Sequence, residues 1–277
     1  MNNSQNHPQP DTDPKGSATM HSQTNTAPSK QAQLQLSGVS KRFGGLQAID
    51  QVTIDLVPGI VTTLVGPNGA GKTTLFNTIT GHIKPDSGTI VWQGKSIVGL
   101  PPWKIARLGI ARTFQDLRLF THMTVQENVL AAMETQSWLW QTGGKAVQKE
   151  RAEKVAHTLE ITGLADMARE TANNLSYAER KFLSLARTLV SGADLWLLDE
   201  PASGLDPPSY DLFLKLLRDE VNRGITVCII EHNLDIVVGI SDKIAFLDQG
   251  RLIANGDPRE VLENPELVAI YFGERKL

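Results

Sequence analysis

Residues Gly66 to Thr74 read GPNGAGKTT. Gly66, Gly71, Lys72 and Thr73 fit the pattern G-x-x-x-x-G-K-[ST], the β-rich run IVTTLV ends directly before it, and a helical pattern from Lys72 to His82 begins inside it. Glycines at such a strand-to-helix turn admit left-handed torsions and a close approach, so that successive backbone N–H groups can point inward together. That cradle suits a polyphosphate, which packs several negative charges into a small volume. Lys72 would bring a point charge to its outer phosphates, and the Thr73 hydroxyl can ligate Mg²⁺. The candidate phosphate-binding residues are therefore Gly66, Pro67, Asn68, Gly69, Ala70, Gly71, Lys72, Thr73 and Thr74.

Outward from this loop the chain is a sheet interleaved with helices. Upstream, LQLSGVSKRF and VTIDLV alternate as strands; downstream, TIVWQG returns to strand, and the span from Trp103 to about Val190 is mostly helical, interrupted by the short run IARTFQ. Then LWLLDE, TVCIIEH and KIAFLDQG recur as nearly continuous apolar strands. Between the first two lies a helix that Asp206 is placed to cap, Pro207 and Pro208 to start and Gly224 to stop. Strand, helix and strand with apolar strands predict an α/β protein whose parallel sheet is covered on both faces. No repeat of 20 to 50 residues is visible.

Composition bounds the rest. The 277 residues are 40% hydrophobic, enough for a sizeable core, and the net charge of −3 provides no global positive field for nucleic acid or anionic lipid. The one cysteine, Cys228, lies in TVCII and reads as a buried small hydrophobe rather than a nucleophile. No apolar run approaches the roughly 20 residues of a membrane-spanning helix, and the N-terminus lacks a secretion-signal pattern, so a cytoplasmic protein is expected. Residues 1–33 are Asn, Gln, Ser, Thr, Pro and His with almost nothing apolar, and are expected to form a disordered polar tail. The folded part is then 34–277, with a helical subdomain at about 116–190.

Parallel sheets gather ligands at the carboxyl ends of their strands, and LWLLDE ends there in two acids. Asp199 suits the carboxylate that holds Mg²⁺, and Glu200 suits the base that orients and deprotonates an attacking water. The next apolar strand ends in His232, which could reach a terminal phosphate from beside them. An acidic pair or a histidine at a strand end is unremarkable alone; beside a phosphate loop each acquires a use.

In order along the chain, GPNGAGKTT, Gln115 after RTF, LSYAERK, LLDEP, SGLD and His232 resemble the ATP-binding subunit of an ABC transporter, from about Leu34 to the C-terminus. The resemblance implies a P-loop NTPase of ABC type: a mostly parallel sheet core, an antiparallel β part and an inserted helical subdomain. It implies ATP and Mg²⁺ as ligands. Phe43 would stack on adenine, Gln115 would link the γ-phosphate and Mg²⁺ to the membrane subunits, and Ser203 to Asp206 would touch the opposite ATPase subunit. RTFQDLRLFTHMTVQENV and PELVAIYFGE look most like the importers of branched-chain and other hydrophobic amino acids. The chain ends soon after YFGE, so the extra regulatory domain of some sugar-importer ATPases is not expected.

The family signature usually reads L-S-G-G-Q and faces the ATP held by the other subunit. Here Ser176 is kept, able to cap the helix and to donate to phosphate, while Tyr177, Ala178 and Glu179 replace Gly, Gly and Gln. Ala178 would add a β-carbon near the ligand and Glu179 a negative charge, so a weaker contact is expected. This favours pairing with a different ATPase chain that carries a stronger signature, the homodimer being the alternative. Two permease subunits and, indirectly, a periplasmic solute-binding protein would complete the assembly at the cytoplasmic face of a bacterial inner membrane. Trp138 and Trp140 in SWLWQTGG could meet a membrane subunit or pack in the core. The competing readings are an ABC ATPase for another solute, a soluble ABC-type ATPase of DNA repair or translation, and a small-molecule kinase. The last leaves the helical block and the serine signature without a purpose.

Overall fold

A computed structural model describes residues 32–133 and 144–272. The expected tail up to residue 31 and the Trp138/Trp140 stretch lie outside them. Gln33 belongs to the fold rather than to the tail: its N–H donates to Leu56 O (2.9 Å), its carbonyl accepts from Gln93 N (2.8 Å), and its side-chain Oε1 accepts from Thr226 Oγ1 (2.5 Å).

The chain begins with the strands β1 (Leu34–Phe43) and β2 (Leu46–Leu56), followed by β3 (Val61–Val65) and, after the glycine loop, α1 (Lys72–Ile79). Next come β4 (Ser87–Trp92), β5 (Lys95–Ser96), α2 (Pro102–Arg107) and β6 (Ile110–Arg112). A helical block follows, with α3 (Val125–Met133), α4 (Lys145–Ile161) and α5 (Tyr177–Val190). The second half runs β7 (Leu195–Asp199), α6 (Pro207–Asn222), β8 (Thr226–Ile230), α7 (Leu234–Ile240), β9 (Lys243–Asp248), β10 (Arg251–Gly256), α8 (Pro258–Leu262) and α9 (Pro265–Phe272).

Two sheets result. One is antiparallel, in the order β2-β1-β4-β5; the other has the order β10-β9-β3-β8-β7-β6 and is parallel except for β10 on its edge. Every position of β3, β7 and β8 is buried, as strands with both faces covered must be. The period of two divides their side chains. Trp196 and Leu198 of β7 and Val227 and Ile229 of β8 pack with the helical block and α6, whereas Leu195, Leu197, Cys228 and Ile230 pack with α1 and the antiparallel sheet.

Several boundaries differ from the sequence reading, among them three set by a left-handed turn. Helix α1 stops at Ile79 rather than His82, because Gly81 turns at φ +73 against Leu100, whose carbonyl oxygen would lie 2.3 Å from any Cβ. The strand TIVWQG ends at Trp92, since Gln93 (φ +46) and Gly94 (φ +77) form the turn into β5. KIAFLDQG ends at Asp248, and Gln249 (φ +46) with Gly250 (φ +80) closes a two-residue hairpin onto β10. That edge strand was absent from the sequence reading, and it matters for the loop: Gly250 N donates to Ala70 O (2.9 Å), and Gly250 O accepts from Asp50 N (2.8 Å).

Candidate functional site

The glycine loop leaves β3 and enters α1 with Gly66, Gly69 and Gly71 at φ +143, +81 and +104. At Gly66 a Cβ would come within 2.0 Å of Leu247 O, and at Gly71 within 2.4 Å of Ala48 O, so two of the three glycines are required by space as well as by torsion. Lys72 Nζ folds back to donate to Gly66 O (2.6 Å) and Pro67 O (3.0 Å). Burial draws its ammonium below the usual lysine range, against the opposing charges of Glu200 and Asp199.

Because β3, β8, β7 and β6 are successive neighbours, their carboxyl ends lie side by side. They supply the glycine loop, His232, the pair Asp199 and Glu200, and Gln115. These groups line one cleft of about 400 Å³ together with Phe43, Asn68, Gly69, Ala70, Gly71, Thr73 and Thr74. Gly66 and Pro67 do not line it, and Pro67 lines a smaller hollow that shares Asn68, Gly69 and Ala70 with it. Phe43 is 45% exposed at the cleft, with Lys41 Nζ 5.5 Å from its ring centroid.

Glu200 is the hub. Its Oε2 accepts from Gln115 Nε2 (3.4 Å), and its Oε1 lies 3.3 Å from His232 Nδ1. Its backbone sits at φ +49, an uncommon torsion for a residue with a Cβ and one worth of order 1–2 kcal/mol of strain. Asp199 is buried, its N–H donating to Thr113 Oγ1 (3.0 Å) and its carboxylate 3.9 Å from Arg112 Nη2. Burial raises the Asp199 carboxyl above the usual range; Arg112 opposes that, Glu200 adds to it, and Lys72 opposes it. Sequence reading missed Arg112 and Thr113, although both stand in the quoted run IARTFQ, because it is the parallel pairing of β6 with β7, Arg112 opposite Leu197, that brings them beside Asp199.

Ser176 and Asp206, also expected as ligand residues, are outside this cleft at the starts of two helices. Ser176 caps α5 in a complete capping box: Glu179 N donates to Ser176 Oγ (3.3 Å), and Ser176 N donates to Glu179 Oε2 (2.6 Å). The Glu179 carboxylate is therefore bound back onto its own helix start, where it keeps a negative charge beside Ser176. Asp206 caps α6 by accepting from Ser209 N (2.9 Å), and the bonds from Ser209 hold its carboxyl below the usual range. As the sequence suggested, Pro207 opens that helix and Gly224 (φ +97) follows its end.

A glycine loop between a parallel strand and a helix, facing acids at the end of a strand one place removed in the same sheet, defines the fold of a P-loop NTPase. The family model described as ABC transporter matches residues 49–203. The chain is 41% identical over 251 residues to the high-affinity branched-chain amino acid transport ATP-binding protein LivG of Escherichia coli (strain K12), covering 87% of this chain and 98% of that protein. It is 39% identical to the corresponding protein BraF of Pseudomonas aeruginosa over the same shares. A crystal structure of an ATP-binding cassette of an ABC transporter in its ADP conformation superposes with a TM-score of 0.77 at 32% identity, over 88% of this chain and 99% of that one. The chain belongs to the ABC transporter family of ATP-binding cassettes, the nucleotide-binding ATPase subunits of transporters.

Proposed function

We propose that this chain binds and hydrolyses ATP to power a membrane importer for branched-chain or other hydrophobic amino acids. The observation that carries the reading is the meeting of Lys72, Gln115, Asp199, Glu200 and His232 in one cleft. The solute rests on the printed functions of LivG and BraF. Among the described residues no helix is long and apolar enough to cross a membrane, so the passage itself is assigned to two permease subunits on which this chain sits at the cytoplasmic face of a bacterial inner membrane. A periplasmic solute-binding protein would act indirectly. Residues 34–277 act as one ATP-binding domain whose helical block at 116–190 passes the motion to the permeases.

Phe43 stacks on adenine, and the loop from Gly66 to Thr74 receives the phosphates. Lys72, which now donates to two loop carbonyls, transfers those donors to phosphate oxygens. Glu200 accepts the proton of the attacking water; His232 and Gln115, both already against its carboxylate, hold the water and the terminal phosphate in line. Hard oxygen donors suit Mg²⁺: the Thr73 hydroxyl, Gln115 and, through water, Asp199 would hold it. Among the described residues no cluster of three or more His, Cys, Asp or Glu could hold a metal alone, which agrees with an ion that takes the rest of its shell from phosphate and water. When bound, the ion neutralises charge on the β- and γ-phosphates.

Ser176 and the Ser203 to Asp206 loop serve the ATP of a second ATPase subunit. With Tyr177, Ala178 and Glu179 in the signature, that subunit is a different chain, and the assembly has one well-built and one weaker site. In the assembled transporter, Glu200→Gln should lower ATP turnover by about 10²- to 10⁴-fold, and the matching change in the partner ATPase should lower it less. Unchanged turnover would contradict the role of Glu200, and equal losses would contradict the asymmetry.

A further inference from the structure

We propose that Lys181 is a positioning residue for hydrolysis: its ammonium, sent from α5, holds the backbone carbonyl of Glu200 and keeps that residue in the turn that aims its carboxylate into the phosphate cleft. The inference rests on the reading of Glu200 as the base.

Lys181 Nζ donates to Glu200 O at 2.5 Å, while Glu200 N donates to Ile230 O at 2.9 Å, so the Glu200 peptide groups are gripped from α5 on one side and β8 on the other. The grip falls on a residue in the left-handed region, φ +49, which persists only where the surroundings impose it. Two residues on, Ala202 N donates to Glu231 Oε1 at 3.4 Å. Lys181 and Glu231, 8% and 0% exposed, thus hold the turn from Glu200 to Ala202 at two points. Their opposite charges attract across it.

A charged amine is an expensive way to fill such a place. An apolar side chain on α5 would pack against the same block without the desolvation cost, so the amine is retained for the bond it makes. Tyr177, standing where the family signature usually has glycine, completes the arrangement. Its ring lies 5.2 Å from Lys181 Nζ and packs on Gly204, where a Cβ would sit 3.1 Å from the ring edge. A cavity of about 190 Å³ bordered by Tyr177, Lys181, Ser203 and Glu200 lies between the helix and the turn. The aromatic ring therefore stands beside the amine as a cation–π partner, and the departure at Tyr177 has a use within this subunit. Since Lys181 shares α5 with the capping Ser176, a shift of that helix start is transmitted to the backbone of Glu200.

The test is steady-state ATP turnover of the assembled transporter carrying Lys181→Met, Lys181→Arg and Glu200→Gln in this chain, singly and as the Met/Gln pair. Lys181→Met should lower kcat by about 10- to 100-fold with the KM for ATP within about twofold of the parent. Lys181→Arg, which restores a charged donor, should return most of the lost rate. In the Glu200→Gln background Lys181→Met should change the residual rate by less than about twofold, because no base remains to be aimed. An unchanged kcat in Lys181→Met, a raised KM with kcat intact, or full multiplication of the two losses would overturn the proposal. Should Glu200→Gln itself leave turnover unchanged, the reading of Glu200 fails, and this inference with it. If Lys181→Met does not fold, Lys181→Met/Glu231→Gln removes both buried charges together while the amide still accepts from Ala202, and it is judged by the same outcomes.

Discussion

Glu200, Gly66, Gly71 and Cys228 show how differently single residues announce themselves. The glycines could be named from the motif alone, and the structure supplies the reason, namely carbonyls that a Cβ would strike. Cys228 reads as a core residue from its neighbours in TVCII, and it is: wholly buried on β8, with its thiol pushed up to about 12 by burial. At pH 8 only about 10⁻⁴ of such a thiol is ionised. Alkylation by iodoacetamide at that pH should therefore be undetectable in the native protein and complete in guanidinium chloride; native labelling at the rate of a free thiol would contradict this burial. Glu200 could be chosen from LWLLDE, but not its torsion. A left-handed non-glycine residue carries no sequence mark, and its supports, Lys181 and Glu231, come from an α5 position and a strand end far off in the chain.

Elements were read well where period and cap agree. LQLSGVSKRF is β1 residue for residue, and the helix with Asp206, Pro207 and Gly224 at its ends is α6. What escaped were strands set by their neighbours. β10 has a half-exposed, alternating pattern and exists because Gln249 and Gly250 turn it back along β9. The caps also carry acid sensitivity. The Asp206 carboxyl is held below its unfolded value of 3.8, so its contribution is complete above that pH and is lost as pH falls through the lower folded value. Asp206→Asn keeps the acceptor without the charge, and its melting temperature should fall less steeply than the parent's as pH drops below about 4. Parallel slopes would contradict a pH-dependent cap. At α5, Ser176→Ala breaks the capping box and should cost about 1 kcal/mol in chemical denaturation; no measurable loss would show the box to be idle in stability.

At the scale of the molecule, the succession of motifs predicted an α/β sheet with ligands at strand ends, but not which ends are adjacent. Strand order is decided by pairings between residues distant in the chain, such as Leu64 with Ile230 and Arg112 with Leu197, and a single sequence carries no direct record of them. The order β3-β8-β7-β6 places the glycine loop, His232, Asp199 with Glu200, and Gln115 along one line. The two faces of β7 and β8, one against the helical block and one against the antiparallel sheet, then tie that line to both halves of the fold. The cleft around Lys72 is thus the place where the whole architecture converges, and ATP binding there is the claim on which the rest depends. Calorimetric titration of the full-length chain with ATP, with and without Mg²⁺, measures it directly. Saturable binding strengthened by Mg²⁺, weakened by about 100-fold or more in Lys72→Ala through loss of charge-assisted phosphate bonds, is the predicted result. No binding by the parent chain, or equal affinity in Lys72→Ala, would contradict it.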